Sequence, residues 1–365
     1  MDRLSLRALN RATLHRQLLL RRDGRAALEA VEHLGGLQAQ APLAPYVGLW
    51  TRLSGFGHDH LEDLLAERTV VRAHLMRNTV HLVTAADYLR FRPLFQPLMD
   101  RALAGHFGAS LAGLDLAQLR SAAAALLAER PLTRTQLARQ LSERWPGTDP
   151  ASLAYAATHL LPLVQVPPRG LWGQSGQATW FLASAWLGAP PHSPGTVEEL
   201  VLGYVAAYGP ASVADIQAWS GLSRLREVTD RLGARLRPFT GPDGMSLLDL
   251  PDASYPDSDA DAPPRFLPEY DNLLLSFAER GRVIRHARPV PLPPGNGATA
   301  GTLLVDGFWE ADWKIVRDQD RAVLEIRLFA DPGPVQRDAI AAEGSRLLEF
   351  AAPAAARDVR FCAAS

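Results

Sequence analysis

The chain has 365 residues, a length that accommodates two or three packed units at about 100–200 residues per domain. Hydrophobic residues make up 47% and charged residues 21%, which excludes wholesale disorder and fibrous classes. The formal net charge of −1 excludes a globally basic nucleic-acid binder, and the lone Cys362 excludes disulfide frameworks and thiolate zinc sites.

The first 25 residues carry Arg3, Arg7, Arg11, Arg16, Arg21, Arg22 and Arg25 against two aspartates, a local basic face that a solvated surface would also explain. Helices are expected near 5–20 and 25–34, then an irregular stretch through Gln38 and Gln40, a helix near 59–67, and strands over 70–76 and 79–83 around Arg77-Asn78. Asp115 with Gln118 caps a helix running to 130, Thr133 with Gln136 opens another through 141, and Asp149-Pro150 is an N-cap followed by proline at the first helical position. Strands over 164–166, 171–173 and 179–182 surround the turn at Pro167-Pro168-Arg169-Gly170. Thr196 and Glu199 form a capping box for a helix that stops at Gly209-Pro210; Ser212 starts a second short helix and Ser223 a third. A hairpin over 235–250 turns at Gly241-Pro242-Asp243-Gly244. Beyond 265, strands over 282–284, 302–305 and 323–328 precede a final helix over 334–350.

Three helices plus a two-stranded wing is the grammar of a winged helix-turn-helix, and the same order recurs. The fold class is therefore expected to be α+β, mainly α, with three tandem winged helix-turn-helix units and a C-terminal β-containing addition. The units span residues 1–105, 106–195 and 196–365. Such a fold also serves protein interaction, so it does not fix function.

Familiar catalytic signatures are mostly missing: there is no Gly-x-Ser-x-Gly elbow, no Walker loop and no His-Glu-x-x-His. The run 295–300 superficially matches a dinucleotide fingerprint but follows prolines, so it is read as a loop, and no cofactor is assigned. His58-Asp59-His60 lacks a third ligand, so no metal is assigned. Glu269 and Asp271 read either as a glycosidase-like carboxylate pair or as a structural turn, the turn being preferred. Lys314 is the only lysine, which disfavours Schiff-base chemistry. In the run Leu37-Gln38-Ala39-Gln40-Ala41-Pro42 an extended backbone would send both carboxamides one way and Ala39 back to the protein. Two fixed amides can grip one water. They cannot act as a strong base, so they suit a substrate with a ready leaving group, such as a cationic N-alkylated purine. A glutamine-rich turn is the simpler reading of the same residues.

The runs 35–42, 48–53, 76–83, 163–173 and 267–275, followed by Arg280 and Val305-Asp306-Gly307, resemble the AlkZ-type winged-helix DNA glycosylases, in order and over nearly the whole chain. The resemblance implies that Gln38 and Gln40 are the family's Gln-x-Gln motif, orienting the hydrolytic water and stabilising the transition state. The glutamine form implies a self-protection enzyme of an antibiotic producer, acting on bulky alkylpurine adducts or interstrand crosslinks. The segment Phe308 to Trp313 departs from the family's glycine-containing turn. The resemblance also implies that the three winged-helix units form a concave DNA channel, and an open channel admits a crosslinked base that cannot be flipped into a snug pocket.

The expected enzyme is a cytoplasmic, monomeric, monofunctional glycosylase whose partner is double-stranded DNA containing alkylated purines. No apolar run nears the roughly 18 residues of a membrane span. Arg3, Arg7, Arg11, Arg280, Arg282 and Arg285 are the candidate phosphate contacts. Arg77 and His81 either reach the site or serve packing and the turn. The alternatives are a non-catalytic winged-helix regulator, which would tolerate loss of both glutamines, and a lesion-binding protein that does not cut.

Overall fold

A computed structural model describes residues 2–188, 193–285 and 300–362. The chain is α+β. Its first part runs β1 (Asp2–Arg3), α1 (Leu6–Arg16), α2 (Ala27–His33), β2 (Leu37–Gln38), α3 (Ala44–Trp50), α4 (His58–Ala66), β3 (Val70–His74), β4 (Val80–Thr84), α5 (Ala85–Phe91) and α6 (Gln96–Phe107). Next come α7 (Leu116–Glu129), β5 (Leu132–Thr133), α8 (Arg134–Arg144), α9 (Pro150–Leu160), β6 (Leu163–Val166), β7 (Thr179–Leu182) and α10 (Ala183–Leu187). A third stretch holds α11 (Val197–Tyr208), α12 (Val213–Ser220), α13 (Leu225–Leu232), β8 (Arg237–Thr240) and β9 (Ser246–Asp249). The last runs β10 (Arg265–Leu267), α14 (Asn272–Leu275), β11 (Gly301–Val305), β12 (Phe308–Asp318), β13 (Arg321–Leu328), α15 (Pro334–Ala351) and β14 (Ala356–Cys362).

Local chemistry sets many of these starts. Asp115 accepts hydrogen bonds from the Ala117 and Gln118 amides, Asp149 accepts from Ser152 N, and Thr133, Thr196 and Ser212 each close a capping box. Ser223 does not cap α13: that position falls to Arg224, in the left-handed region, because Gly221 already closes α12 there and the chain must turn again before Leu225. Residues 282–284 form a turn instead of a strand, tied back by Val283 N and Ile284 N to the Arg280 carbonyl. Residues 171–173 add no strand either; Leu171 makes only an isolated bridge to Arg169. The fingerprint-like run 295–300 lies almost wholly outside the described residues.

The strands form a six-stranded sheet in the order β2-β4-β3-β6-β7-β5, a three-stranded sheet β1-β8-β9, and a five-stranded sheet β10 to β14. In the largest, β3 pairs with β6, placing Arg72 opposite Gln165, so strands expected in two separate units share one ladder. Val70, Val80, Leu82 and Leu163 feed one core and Val71, Ala73, Val83 and Val164 the other. Adjacent residues facing opposite cores is the period of a strand buried on both faces. Among the described residues no helix is long and apolar enough to cross a membrane.

Candidate active site

Gln38 ends β2, whose register sets Leu37 against Leu82 and Gln38 against His81 of β4. Gly36 makes this approach possible: its φ is +93°, and a Cβ there would lie 2.5 Å from Val83 Cγ1. The ladder continues for one bond beyond the strand, from Ala39 N to the Val80 carbonyl at 2.8 Å, with Ala39 fully buried.

The Gln38 carboxamide is held by the hairpin tip. Arg77 and Asn78 both adopt positive φ, which turns the Arg77 guanidinium back over the sheet. Its Nη2 donates to Gln38 Oε1 at 2.8 Å and its Nη1 to the Trp219 carbonyl at 2.6 Å. Arginine only donates, so this contact fixes the amide orientation and leaves Gln38 Nε2 as the end free to act on a ligand. His81 lies 3.4 Å from the same Nη2 through Nε2, while its Nδ1 faces the Thr79 carbonyl at 3.0 Å. The tautomer follows: Nδ1–H donates to Thr79 and bare Nε2 receives Arg77. Burial, with the Arg77 charge added, pushes the His81 pKa down to about 3, so the ring is neutral at physiological pH. Burial also lowers Arg77, to about 10, which leaves it charged.

Gln40 sits at the bend where the strand has ended, so strand alternation stops short of it. It lines a cleft of about 340 Å³ with Arg72, His74, Arg134, Gln165 and Arg169. Among the described residues nothing hydrogen-bonds its carboxamide, which is thus free to bind water. The backbone between the two glutamines is clamped from below: Arg72 Nη2 donates to the Ala39 carbonyl at 2.9 Å and Nη1 to the Arg169 carbonyl at 3.1 Å. Gly170 leaves room for that side chain, since a Cβ at its φ of +100° would come within 2.9 Å of Arg72 Cδ.

Of the expected phosphate contacts, two are corrected by their burial. The Arg11 side chain is fully buried, bonded to the Ala260 and Asp306 carbonyls and ion-paired with the Asp306 carboxylate. Arg282 is 2% exposed, donating to the Pro210 carbonyl at 2.7 Å and pairing with Asp215 at 3.2 Å. Neither can reach DNA. Arg7 is half-exposed but paired with Asp306 at 2.9 Å, and Arg285 is exposed, stacked on Phe308 and paired with Glu310 at 3.4 Å. Arg3 is exposed on β1. Arg280 is half-buried near enough to Arg77 to depress its pKa, and makes no ion pair among the described residues. Arg77 and His81 come to Gln38 as its holders.

Asp271 caps α14 and forms a buried bidentate pair with Arg52 at 2.8 and 2.9 Å, so it is not half of a carboxylate pair. Glu269 has no ion-pair partner among the described residues, and burial raises its pKa. His58 stacks on Trp172 at 3.9 Å. The Phe308 to Trp313 segment begins β12 and buries Phe308, Trp309 and Trp313. Arg72, Arg134, Arg169 and Gln165 were not singled out in the sequence as site residues. A lone arginine inside the apolar run Val70-Val71-Arg72-Ala73 is the signal that marks a buried cation.

A family model described as DNA glycosylase AlkZ-like matches residues 31–350. The fold is similar to the Streptomyces sahachiroi DNA glycosylase AlkZ, with a TM-score of 0.76 and 21% identity over 99% of this chain and 100% of that chain. No protein with a curated description matches the chain by sequence. With most of its length inside the family model, the chain belongs to the AlkZ-like DNA glycosylase family.

Proposed function

We propose that this DNA glycosylase hydrolyses the N-glycosidic bond of bulky N7-alkylguanine adducts or interstrand crosslinks, using Gln38 and Gln40 to position the water, and protects its host from a DNA-alkylating natural product. The observation that carries the reading is the pair of differently held carboxamides: Gln38 locked by Arg77 with its Nε2 free, Gln40 unbonded in an adjoining cleft. Gln40 Oε1 accepts a proton of the water and Gln38 Nε2 donates to one lone pair, leaving the other aimed at C1′. A strong base is not needed, because alkylation has made the purine a cationic leaving group. Neutral His81 takes no proton; it and Arg77 hold Gln38 still. Lys314 is engaged with Glu325 at 3.1 Å, which supports water rather than an amine as nucleophile. In this reading three winged helix-turn-helix units, over 1–105, 106–195 and 196–365, surround a concave channel for double-stranded DNA, entered by a monomer. Arg3, Arg7, Arg280 and Arg285 then serve as phosphate contacts.

The test is base release from duplexes carrying N7-methylguanine or a bulky N7-guanine adduct. The Gln38→Ala/Gln40→Ala double variant is expected to lose at least about 10²–10³-fold in rate, as removal of preorganised hydrogen-bonding groups does, while still binding both duplexes. Absence of release by folded, DNA-binding wild-type protein would overturn the reading.

A further inference from the structure

The cleft beside Gln40 carries positive charge that the water-positioning pair does not use. Arg72, Arg134 and Arg169 line its roughly 340 Å³, and its wall contains no aspartate or glutamate. None of the three forms an ion pair among the described residues. Three buried arginines elsewhere are matched: Arg16 with Asp249 at 2.6 Å, Arg52 with Asp271 at 2.8 Å, Arg282 with Asp215 at 3.2 Å. Arg72 is only 2% exposed; both Nη atoms reach carbonyls, but its Nε donor is buried with no partner. His74 Nδ1 and Gln165 Oε1, in the same wall, are equally unpartnered. Arg134, at the rim, is held 5.5 Å over the Trp180 ring and 5.4 Å over Tyr155.

Burying donors and cations without acceptors is costly, and a protein keeps such an arrangement where a ligand completes it. Guanidinium groups converging without a carboxylate suit an oxyanion, which they grip through paired N–H donors. The chemistry at Gln40 narrows the choice. A developing oxocarbenium ion is repelled by three uncompensated guanidiniums nearby, and an anion in the cleft removes that penalty. DNA supplies an anion at a fixed distance from every deoxyribose.

We propose that this cleft binds one backbone phosphodiester of the lesion-bearing strand, flanking the nucleotide whose base is released, with Arg134 and Arg169 on its oxygens and Arg72 Nε closing the site from below. This rests on the reading of Gln38 and Gln40 as the hydrolytic pair. Gln165 joins by a half-turn of its amide, presenting Nε2 in place of Oε1.

The experiment is binding of the full chain to a duplex with a tetrahydrofuran abasic analogue, followed by fluorescence anisotropy across a salt series. A single methylphosphonate replaces the phosphate 5′ or 3′ of the analogue, or one several nucleotides away. For wild type, neutralising one flanking phosphate is expected to weaken binding and lower the salt slope by about 1, whereas the distant one does less. The Arg134→Gln/Arg169→Gln variant, altered at positions that are not fully buried, should show the shallower slope and no further loss with that methylphosphonate. Arg134→Lys/Arg169→Lys, which keeps the charge, should restore the slope. A Gln variant as sensitive to the methylphosphonate as wild type overturns the proposal. So does protection by inorganic phosphate with no methylphosphonate effect, which would make the cleft a free-anion site. Base release from N7-methylguanine by the same preparation is scored separately. Release together with a failed phosphonate test leaves the glycosylase reading standing; a positive phosphonate test without release removes that reading and keeps the cleft.

Discussion

Two populations of arginine divide the molecule. At seams where distant segments meet, buried guanidiniums are matched by carboxylates: Arg16 of α1 with Asp249 of β9, Arg52 with Asp271 beside α14, Arg282 with Asp215 of α12. Around Gln38 and Gln40 the guanidiniums bond to neutral groups: Arg72 to the Ala39 and Arg169 carbonyls, Arg77 to the Trp219 carbonyl, the Gln38 amide and the His81 ring. A carbonyl satisfies a donor but leaves the charge whole. The first population joins the fold together; the second holds the motif and stays available to an anion.

Substitutions should separate the two. The largest effect is expected for Arg52→Met, which strands the Asp271 carboxylate in the interior and should cost about 3–5 kcal/mol, read as a drop in thermal or denaturant stability. Arg72→Met also removes a buried cation but strands no charge, so about 1–2 kcal/mol is expected from its lost hydrogen bonds, with a larger fall in base release than in stability. The reverse order would collapse the distinction.

Acid should act on the unpaired side. His74, His81 and His159 are all held below the ordinary histidine value, chiefly by burial and further by nearby cations: Arg134 and Arg92 for His74, Arg77 for His81, Arg134 for His159. Each is neutral when folded and takes a proton near pH 6.5 when unfolded, so its contribution is complete above that pH and lost as pH falls. For His159 the loss runs down to about 4 and for His81 to about 3. Each contributes a slope of up to about 1.4 kcal/mol per pH unit. Denaturation midpoints should fall between pH 7 and 5, and His159→Gln should flatten that fall by up to one proton; an unchanged slope counts against the assignment.

Smaller effects sharpen the edges. Thr133→Ala removes the side-chain cap of α8 just before Arg134, an expected cost of about 1 kcal/mol by thermal melting. Arg285→Ala breaks exposed ion pairs and a stack on Phe308, and should cost about 1 kcal/mol in the same measurement.

The helix starts were legible because caps are local: Asp115, Thr133, Asp149, Thr196 and Ser212 each bond to an amide two or three residues on. Helix α3 escaped notice because all seven of its residues are buried, which erases the amphipathic period. Strand β1 was invisible for a different reason, its partner β8 lying more than two hundred residues away. The same limit applied at the site. Gln38 and Gln40 stood out as a motif, but Arg77's hold on Gln38 depends on two positive φ values at the hairpin tip, and Arg169 and Gln165 join Arg72 only through the β3–β6 pairing.

That pairing also governs how the chain can be taken apart. With β3 zipped to β6, a nick anywhere in residues 108–115 would leave two pieces whose exposed strand edges are each other's best complement. Such halves should co-purify and reassemble like a clasp, and neither should survive alone as an independent module.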